Sequence, residues 1–279
     1  MLRFLSMLAG VVLALAGGAA AAQQPPSGGG GKVEVLWLGQ SATRITSPGG
    51  KVILIDPWLT QNPKTPAQYK NLDALGHIDL ILVTHGHGDH LGDAPDLAKK
   101  LNVPMWGPAG LADTLITLGI LPPELAPRMN KGGTITPLGP GIKITMVHAE
   151  HSSEMVWTNP ASGKREAHGG GEPVGFVVEL ENGFKIYHMG DTAVFGDMRL
   201  IGERLKPDLV MIPIGGHFVM SPEDAAFATR EYLKPRFAIP IHYGTIPQLK
   251  GTPEEYIKAL GADAPTKVLA LNPGDAQSF

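Results

Sequence analysis

The residues best placed to do chemistry lie in one short segment, residues 79–93, which reads DLILVTHGHGDHLGD. An apolar strand is followed by four side chains that can bind a metal ion: His85, His87, Asp89 and His90. Alternate residues of an extended segment project to the same side, so His85 and His87 can approach one ion. Asp89 and His90 come where a helix is expected to begin, and they face a different point. This loop can therefore supply two neighbouring metal positions.

Two glycines within the segment and the absence of cysteine narrow the chemistry. We expect Gly86 and Gly88 to let the backbone turn sharply without a Cβ clash. The chain has no cysteine, which excludes a disulfide, a thiolate ligand and a cysteine nucleophile. A single histidine at a strand end is often structural, and an aspartate before a helix is often a cap. Four such residues between glycines instead favour a site for zinc, iron or manganese.

Short apolar runs bounded by glycine, proline or charged residues predict the strands that must position this loop. These are residues 33–38, 51–55, 80–83, 142–147, 174–180, 184–188, 209–212, 238–241 and 268–271. Helical spacing predicts helices over 91–101, 222–233 and 253–260, the last two capped by Ser221 and Thr252. The order of these elements predicts an α/β (α+β) domain with two sheets between helices.

Composition and the N-terminal residues indicate which partners the domain can have and where the protein is located. The 279 residues are 43% hydrophobic, and the formal net charge of −3 disfavours broad binding to nucleic acid. Residues 1–22 have a positive start, a short apolar run and small residues at a cleavage site, which predicts a signal peptide. Residues 23–31 are a Pro- and Gly-rich linker, and residues 32–279 form one domain. We expect an exported protein, periplasmic or extracellular, with no membrane anchor after cleavage; a retained anchor is the alternative.

The segment resembles the signature of the metallo-β-lactamase-fold superfamily, His-x-His-x-Asp-His after a strand. The resemblance extends over the rest of the chain, through residues 37–42, 54–59, 149–153, 187–192, 214–218 and 240–243. Together these motifs resemble a branch of metal-dependent hydrolases close to the ascorbate-phosphate lactonase-like proteins. The resemblance implies a four-layer αββα sandwich and a small-molecule substrate.

The same resemblance implies which residues hold two divalent metal ions, zinc first and Mn²⁺ or Fe²⁺ as alternatives. His85, His87 and His151 would hold the first ion. Asp89, His90 and His242 would hold the second, and Asp191 would bridge the two. Alternatives remain open from the residues alone: His148 competes with His151, Asp191 could be a turn residue, and His242 could be structural.

Further residues receive weaker assignments. Asp56 is expected to accept a ring N–H from a ligand histidine and so fix its tautomer, or else to be a turn carboxylate. His217 is a candidate to line the pocket, with a surface role as the equal alternative, and His188 has no clear role. His77 and His168 are expected at the surface. Residues 155–172 are polar and Gly-rich and predict a mobile lip over the site, with Trp157 as a candidate substrate contact.

The predicted reaction is hydrolysis of an ester-type bond (a lactone, phosphodiester or thioester) by a metal-bridging hydroxide. Asp89 would orient that nucleophile, and Asp191, His217 or a metal-bound water could protonate the leaving group. An iron-dependent redox enzyme on the same fold and a metal-binding protein without turnover are the alternatives. A β-lactamase is disfavoured for two reasons. The absence of cysteine excludes the β-lactamase subclass that uses a thiolate at its second metal, and a bridging aspartate is unlike true β-lactamases.

Overall fold

The structure, a computed structural model, describes residues 31–279. The predicted signal peptide and nearly all of the predicted linker lie outside these residues. The strands of the described part are β1 (Glu34–Gly39), β2 (Ala42–Thr46), β3 (Val52–Ile55), β4 (Leu80–Leu82), β5 (Met105–Pro108), β6 (Arg128–Met129), β7 (Thr134–Ile135), β8 (Lys143–His148), β9 (Glu154–Thr158), β10 (Arg165–Gly169), β11 (Val174–Glu179), β12 (Lys185–His188), β13 (Leu209–Pro213), β14 (Phe237–Ile241), β15 (Lys267–Val268) and β16 (Ala276–Ser278).

Two seven-stranded sheets have the same plan, antiparallel in one half and parallel in the other. The first sheet has the order β16-β1-β2-β3-β4-β5-β6 and is parallel from β3 onwards. The second has the order β15-β14-β13-β12-β11-β8-β7 and is parallel from β15 to β12. The carboxyl ends of neighbouring parallel strands meet at one edge, so both sheets present several strand ends at one rim.

The helices cover the outer faces of the two sheets. They are α1 (Ala67–Lys70), α2 (Gly88–Leu91), α3 (Ala94–Leu101), α4 (Ala109–Thr117), α5 (Met198–Arg204), α6 (Pro222–Phe227) and α7 (Pro253–Leu260). Short 3₁₀ turns occupy Leu72–Leu75 and Pro123–Leu125, and α6 continues into a π-helical turn, Ala228–Leu233.

Alternating side chains along the strands divide the core into three layers. In β1, Val35 and Trp37 point into the space between the sheets, whereas Leu36 packs with α3 and α4. In the second sheet, Phe176 faces the first sheet, and Val177 faces the layer under α5 to α7. The predicted four-layer αββα sandwich is therefore confirmed.

The predicted helix over residues 91–101 is wrong in one respect, because the structure breaks it. α2 ends at Leu91, and Gly92 has a φ of 36°, outside the helical region. Asp93 then turns its carboxylate away to accept hydrogen bonds from the backbone N–H groups of Leu59 and Thr60, at 2.7 and 3.0 Å. The predicted caps are present: Ser221 accepts from Asp224 N, and Thr252 forms a capping box with Glu255.

Several elements were not predicted as the structure has them, and three of them bear on the predictions made above. The predicted lip contains a regular hairpin of β9 and β10 rather than an irregular loop. The last strand, β16, pairs antiparallel with β1 although its sequence is polar. Of the predicted strand over 268–271, only Val268 is in β15. No helix within residues 31–279 is long and apolar enough to cross a membrane.

Candidate metal centre

The predicted metal ligands come together where strand ends of both sheets meet. His85, His87, Asp89 and His90 follow β4 of the first sheet. The second sheet contributes three residues, which follow β8, β12 and β14: His151, Asp191 and His242. The rim therefore gathers imidazoles and carboxylates that are far apart in the sequence.

The first group of potential ligands consists of His85, His87, His151 and Asp191, whose ligand atoms all lie within 4.8 Å of one another. His85 Nε2 lies 3.0 Å from His87 Nδ1, and His151 Nε2 lies 3.6 Å from Asp191 Oδ2. Three nitrogens and one carboxylate oxygen at this spacing can surround one ion.

The second group consists of Asp89, His90, Asp191 and His242, with the same mutual spacing. His242 Nε2 lies 3.0 Å from Asp191 Oδ2 and 3.4 Å from Asp89 Oδ2. His90 Nε2 lies 3.1 Å from Asp191 Oδ1. Asp191 belongs to both groups, which is the arrangement that the resemblance implies for a bridging ligand. The roles of all the residues in these two groups as metal ligands stay a prediction.

Burial at the centre leaves polar atoms without partners. His90 is fully buried and Asp191 is 3% exposed. Although His90 Nε2 and Asp191 Oδ1 are close, neither makes a hydrogen bond within the described residues. An unsatisfied buried polar group costs about 1–3 kcal/mol, so such a pair of atoms indicates a missing partner that could satisfy both.

The acid and base groups set one another's charge. Burial opposes the protonation of His242, but the Asp191 carboxylate outweighs it and raises the pKa of His242 to about 9. Burial likewise opposes the charge on His90, yet Asp191 and Asp89 raise the pKa of His90 well above its usual value. Burial would raise the pKa of Asp191, but the charges of His242 and His90 hold that pKa well below its usual range.

The first group differs from the second in its charge. Burial lowers the pKa of His85 well below its usual value, with the charge of His90 adding to the effect. Burial also lowers the pKa of His151. These two imidazoles are therefore neutral at neutral pH, the state in which a ring nitrogen can bind a metal ion.

Asp56, which follows β3, makes the contact predicted for it. Its Oδ2 lies 2.7 Å from His90 Nδ1, and its carboxylate also accepts from Thr84 N at 2.8 Å and Thr84 Oγ1 at 2.7 Å. Because the ionised carboxylate accepts the Nδ1 proton, His90 presents Nε2 towards Asp191. Thr84 Oγ1 also lies 3.0 Å from His85 Nδ1.

Gln40 is a site residue that the sequence analysis missed. It follows β1 with a φ of 51°, and its Nε2 donates to Asp89 Oδ2 at 2.8 Å. The same Nε2 lies 2.7 Å from His242 Nε2, while its Oε1 is buried without a hydrogen-bond partner in the described part of the chain. A single glutamine after a strand carries no metal signal. The sequence analysis included Gln40 only as one residue of the motif 37–42.

The glycines of the histidine loop serve a different purpose from the one predicted. A Cβ on Gly86 would lie 2.9 Å from Gly170 Cα, so this glycine permits a close backbone approach to the base of the β9–β10 hairpin. Ser153 holds that approach, accepting from Gly86 N at 3.0 Å and donating to Gly170 O at 2.8 Å. Gly88 has open space around it, and neither Gly86 nor Gly88 has a positive φ.

The structure does not bring the remaining candidates to the centre. His217 is exposed and lines a neighbouring cleft, whereas the next residue, Phe218, lines the cavity at the centre. Trp157 packs edge-on against His168 and does not line that cavity, and its contact with a substrate stays a prediction.

The other histidines have structural or surface surroundings. His148 belongs to neither group of potential ligands; its ring lies 3.3 Å from both Lys131 Nζ and Glu150 Oε2. His188 is buried, and its Nε2 lies 2.8 Å from Ser41 O, which joins the two sheets beneath the centre. His77 is exposed beside Asp79, as expected.

A cavity of about 480 Å³ opens over the two groups. Its polar lining consists of Gln40, Ser152 and five of the predicted ligands, namely His87, Asp89, His151, Asp191 and His242. Its apolar lining, called the apolar wall below, consists of Trp58, Phe218, Ile246 and Leu249. A small molecule can therefore contact the predicted ligands while resting on an apolar wall.

Similar proteins are named metal-dependent hydrolases. A protein from Polaromonas sp. (strain JS666), named UPF0173 metal-dependent hydrolase, is 65% identical over 248 residues, covering 89% of this chain and 90% of its own. Another of the same name, from Cupriavidus metallidurans, is 61% identical over 249 residues, covering 89% of this chain and 86% of its own.

Solved structures and a family model extend the agreement. Igni18, described as a novel metallo hydrolase from the archaeon Ignicoccus hospitalis KIN4/I, aligns with a TM-score of 0.76 and 29% identity over 89% of this chain and 98% of its own. The family model described as "Beta-lactamase superfamily domain" matches residues 51–243, which contain all seven predicted ligands. The chain therefore belongs to the β-lactamase superfamily, among relatives that are named metal-dependent hydrolases.

Proposed function

We propose that this protein is a binuclear metal-dependent hydrolase that cleaves an ester-type bond (a lactone, phosphodiester or thioester) in a small molecule. The observation that carries the proposal is the position of the Asp191 carboxylate, which belongs to both groups of potential ligands. One carboxylate shared by two sets of imidazoles is expected where two cations lie side by side. The names of the relatives support hydrolysis as the reaction.

The donor set fits two divalent ions of the zinc, manganese or iron type. All the donors are imidazole nitrogens or carboxylate oxygens, which suits these metals in the absence of thiolate. His85, His87, His151 and Asp191 would hold one ion; Asp89, His90, His242 and Asp191 would hold the other. The unpartnered His90 Nε2 and Asp191 Oδ1 are the atoms that such an ion would satisfy.

Two divalent ions about 3.5–4 Å apart would lower the pKa of a bound water and polarise the bond to be cleaved. The chain's own residues then have separate tasks. Asp89 lines the cavity with a side chain that is 33% exposed. Gln40 donates to its Oδ2, which leaves Oδ1 able to accept a hydrogen bond from water and so orient it.

The charges of the carboxylates favour some proton-transfer roles over others. Burial would raise the pKa of Asp89, but the charge of His90 and the hydrogen bond with His242 hold it well below its usual range. Asp191 is held ionised in the same way. Both residues therefore suit the role of proton acceptor better than that of proton donor to a leaving group. His217 does not line the cavity, so we assign it no role in this step.

The test is elemental analysis of the purified protein, followed by activity on a lactone, a phosphodiester and a thioester. We expect close to two equivalents of zinc, manganese or iron, and hydrolysis of at least one substrate. His151→Ala should lose metal and activity together, as should Asp89→Ala. The matched control is His148→Ala, three residues away and outside both groups, which should keep both.

Retained metal and activity in His151→Ala would contradict the ligand assignment. A single tightly bound iron, together with inactivity on all three substrates, would contradict the hydrolase.

We also propose that the protein is exported, on the strength of the sequence features of residues 1–22. Cleavage should follow Ala22, so N-terminal sequencing of the protein from the cell envelope should begin at Gln23. An intact Met1 on that protein would contradict cleavage.

A further inference from the structure

The cavity over the candidate metal centre has a wall that carries no charge. It consists of Trp58, Phe218, Ile246 and Leu249. Phe218 is 50% exposed and Ile246 is 39% exposed, so both side chains can contact a molecule in the cavity. Concave apolar surface beside a few polar groups is the ordinary form of a small-molecule site.

No lysine or arginine lines this cavity within the described residues. Sites that bind phosphate or carboxylate generally use arginine or lysine to pair with the charge. Lys250 lines a neighbouring cleft instead. On the polar side of the cavity, Asp89 and Asp191 already offset part of the positive charge that two divalent ions would bring.

We propose that the substrate is an uncharged carboxylic ester or lactone with an apolar acyl or aromatic group. This inference rests on the proposed function and favours its carboxylic ester bonds over the phosphodiester. The apolar group contacts Phe218, Ile246 and Leu249, while the ester carbonyl lies against the predicted ligands. Water adds to the acyl carbon and the acyl C–O bond breaks. The alkoxy oxygen leaves as an alcohol with one proton, and the acid is released as a carboxylate and a proton.

The first experiment compares two substrates with the same leaving group on the metal-loaded protein. 4-Nitrophenyl butanoate is a neutral carboxylic ester, and bis(4-nitrophenyl) phosphate is an anionic phosphodiester; both release 4-nitrophenol. We expect the ester to have the higher kcat/KM after correction for its faster spontaneous hydrolysis. A higher corrected kcat/KM for the phosphodiester would overturn the proposal.

The second experiment tests the apolar wall. Lengthening the acyl chain from acetate to butanoate adds two methylene groups, which should raise kcat/KM about tenfold if both become buried. Phe218→Ala and Ile246→Ala should each reduce this gain. The matched controls are Phe227→Ala and Ile257→Ala, which remove exposed side chains of the same type, 40% and 46% exposed, outside the cavity. An equal gain in Phe218→Ala and Phe227→Ala would overturn the proposal.

A binding measurement separates this inference from the proposed function. 4-Nitroanisole has the aromatic ring but no ester bond, and as a nitroaromatic it quenches tryptophan fluorescence, here that of Trp58 in the wall. If no substrate is hydrolysed, the proposed function fails. Saturable quenching that weakens several-fold in Phe218→Ala but not in Phe227→Ala would still support the apolar site. Quenching that does not saturate, or that is equal in both variants, would overturn it.

Discussion

Asp56 illustrates, at the scale of single residues, how a side chain that binds no metal can decide whether its neighbour does. Its carboxylate is fully buried and accepts from His90 and from both donors of Thr84. The two hydrogen bonds from Thr84 fix the carboxylate, and the carboxylate fixes the ring of His90. The site therefore depends on contacts one step removed from the predicted ions.

Replacement of Asp56 by asparagine tests this dependence. The amide can still accept one hydrogen bond, but it has no charge to orient the Nδ1–H of His90. We expect the affinity for zinc to fall about 10–100-fold, measured by competition with a chromophoric chelator. Asp79→Asn is the control, since Asp79 is a similarly enclosed carboxylate paired with Lys51 and remote from the centre. Equal affinities in the two variants would contradict the role of Asp56.

Proton release on metal binding is a second expectation at this scale. In the metal-free protein the pKa of His242 is raised to about 9, so its ring is protonated at pH 7.5, and the pKa of His90 is also raised. A metal ion that binds His242 must displace the ring proton. Calorimetric titration with zinc in two buffers of different ionisation enthalpy should show net proton release, and affinity should fall as the pH is lowered. Binding without proton release at pH 7.5 would contradict these charge states.

The raised pKa of His242 also determines how the stability of the metal-free fold changes with pH. The folded pKa of His242, about 9, lies above the 6.5 of a free imidazole. Its contribution to the stability of the metal-free fold is therefore fully present below about pH 6.5 and is lost as the pH rises through about 9.

Single residues were predictable where their chemistry is distinctive. The four ligands after β4 stand out because histidine, aspartate and glycine rarely crowd a strand end. Gln40 was missed, because nothing in a lone amide indicates a contact with Asp89 across 49 positions. His217 was expected in the pocket. However, its positive φ of 58° turns the chain there, and Phe218 lines the cavity instead.

At the scale of elements, the break between α2 and α3 fixes the histidine loop against the chain after β3. Gly92 lies where a Cβ would approach Trp58 Cα at 2.6 Å and Pro57 O at 2.8 Å. Asp93 N donates to Pro57 O at 2.8 Å and completes the contact. The close approach places Trp58 in the cavity wall and His90 beside Asp56.

Gly92→Ala should disturb this junction. The new methyl group would meet backbone rather than a flexible side chain, and its φ of 36° is unfavourable for alanine. We expect a loss of about 1–3 kcal/mol in the free energy of unfolding, measured by chemical denaturation of the metal-free protein. Gly88→Ala, at the first residue of α2 and with open space around it, should be neutral or slightly stabilising. Similar losses in both variants would contradict the packing argument.

Among the strands, those that are buried almost throughout were predicted most readily. Apolar strands such as β4 and β13 are buried throughout, so their composition reveals them. The β9–β10 hairpin and β16 expose alternate or most residues, and their polar sequences look like loops. In addition, β16 pairs with β1, which lies at the other end of the described residues, and local composition does not encode that pairing.

At the scale of the whole molecule, the centre joins the two sheets. Four of the predicted ligands follow β4 of the first sheet, and three follow strands of the second. Ions bound there would bridge the halves and stabilise the folded state alone, because unfolding separates the ligands.

Removal of metal should therefore lower the melting temperature. For ions present at about a thousand times Kd the stabilisation is about 4 kcal/mol, which corresponds to a shift of about 10 °C for a domain of this size. Calorimetry before and after chelation should show this shift, and added zinc should reverse it. His151→Ala should show a smaller shift. An unchanged melting temperature in the wild-type protein would contradict a bridging role for the ions.

The pairing of β16 with β1 brings the first and last described strands together. Val33 and Phe279 exchange both backbone hydrogen bonds, at 3.2 and 2.9 Å. During synthesis, the outer edge of β1 stays uncovered until β16 has been made. Contacts between such distant positions slow folding, and until they form, the exposed edge of β1 is a surface that another strand could occupy. A chaperone that shields this edge from other chains would then matter most in the interval before β16 emerges.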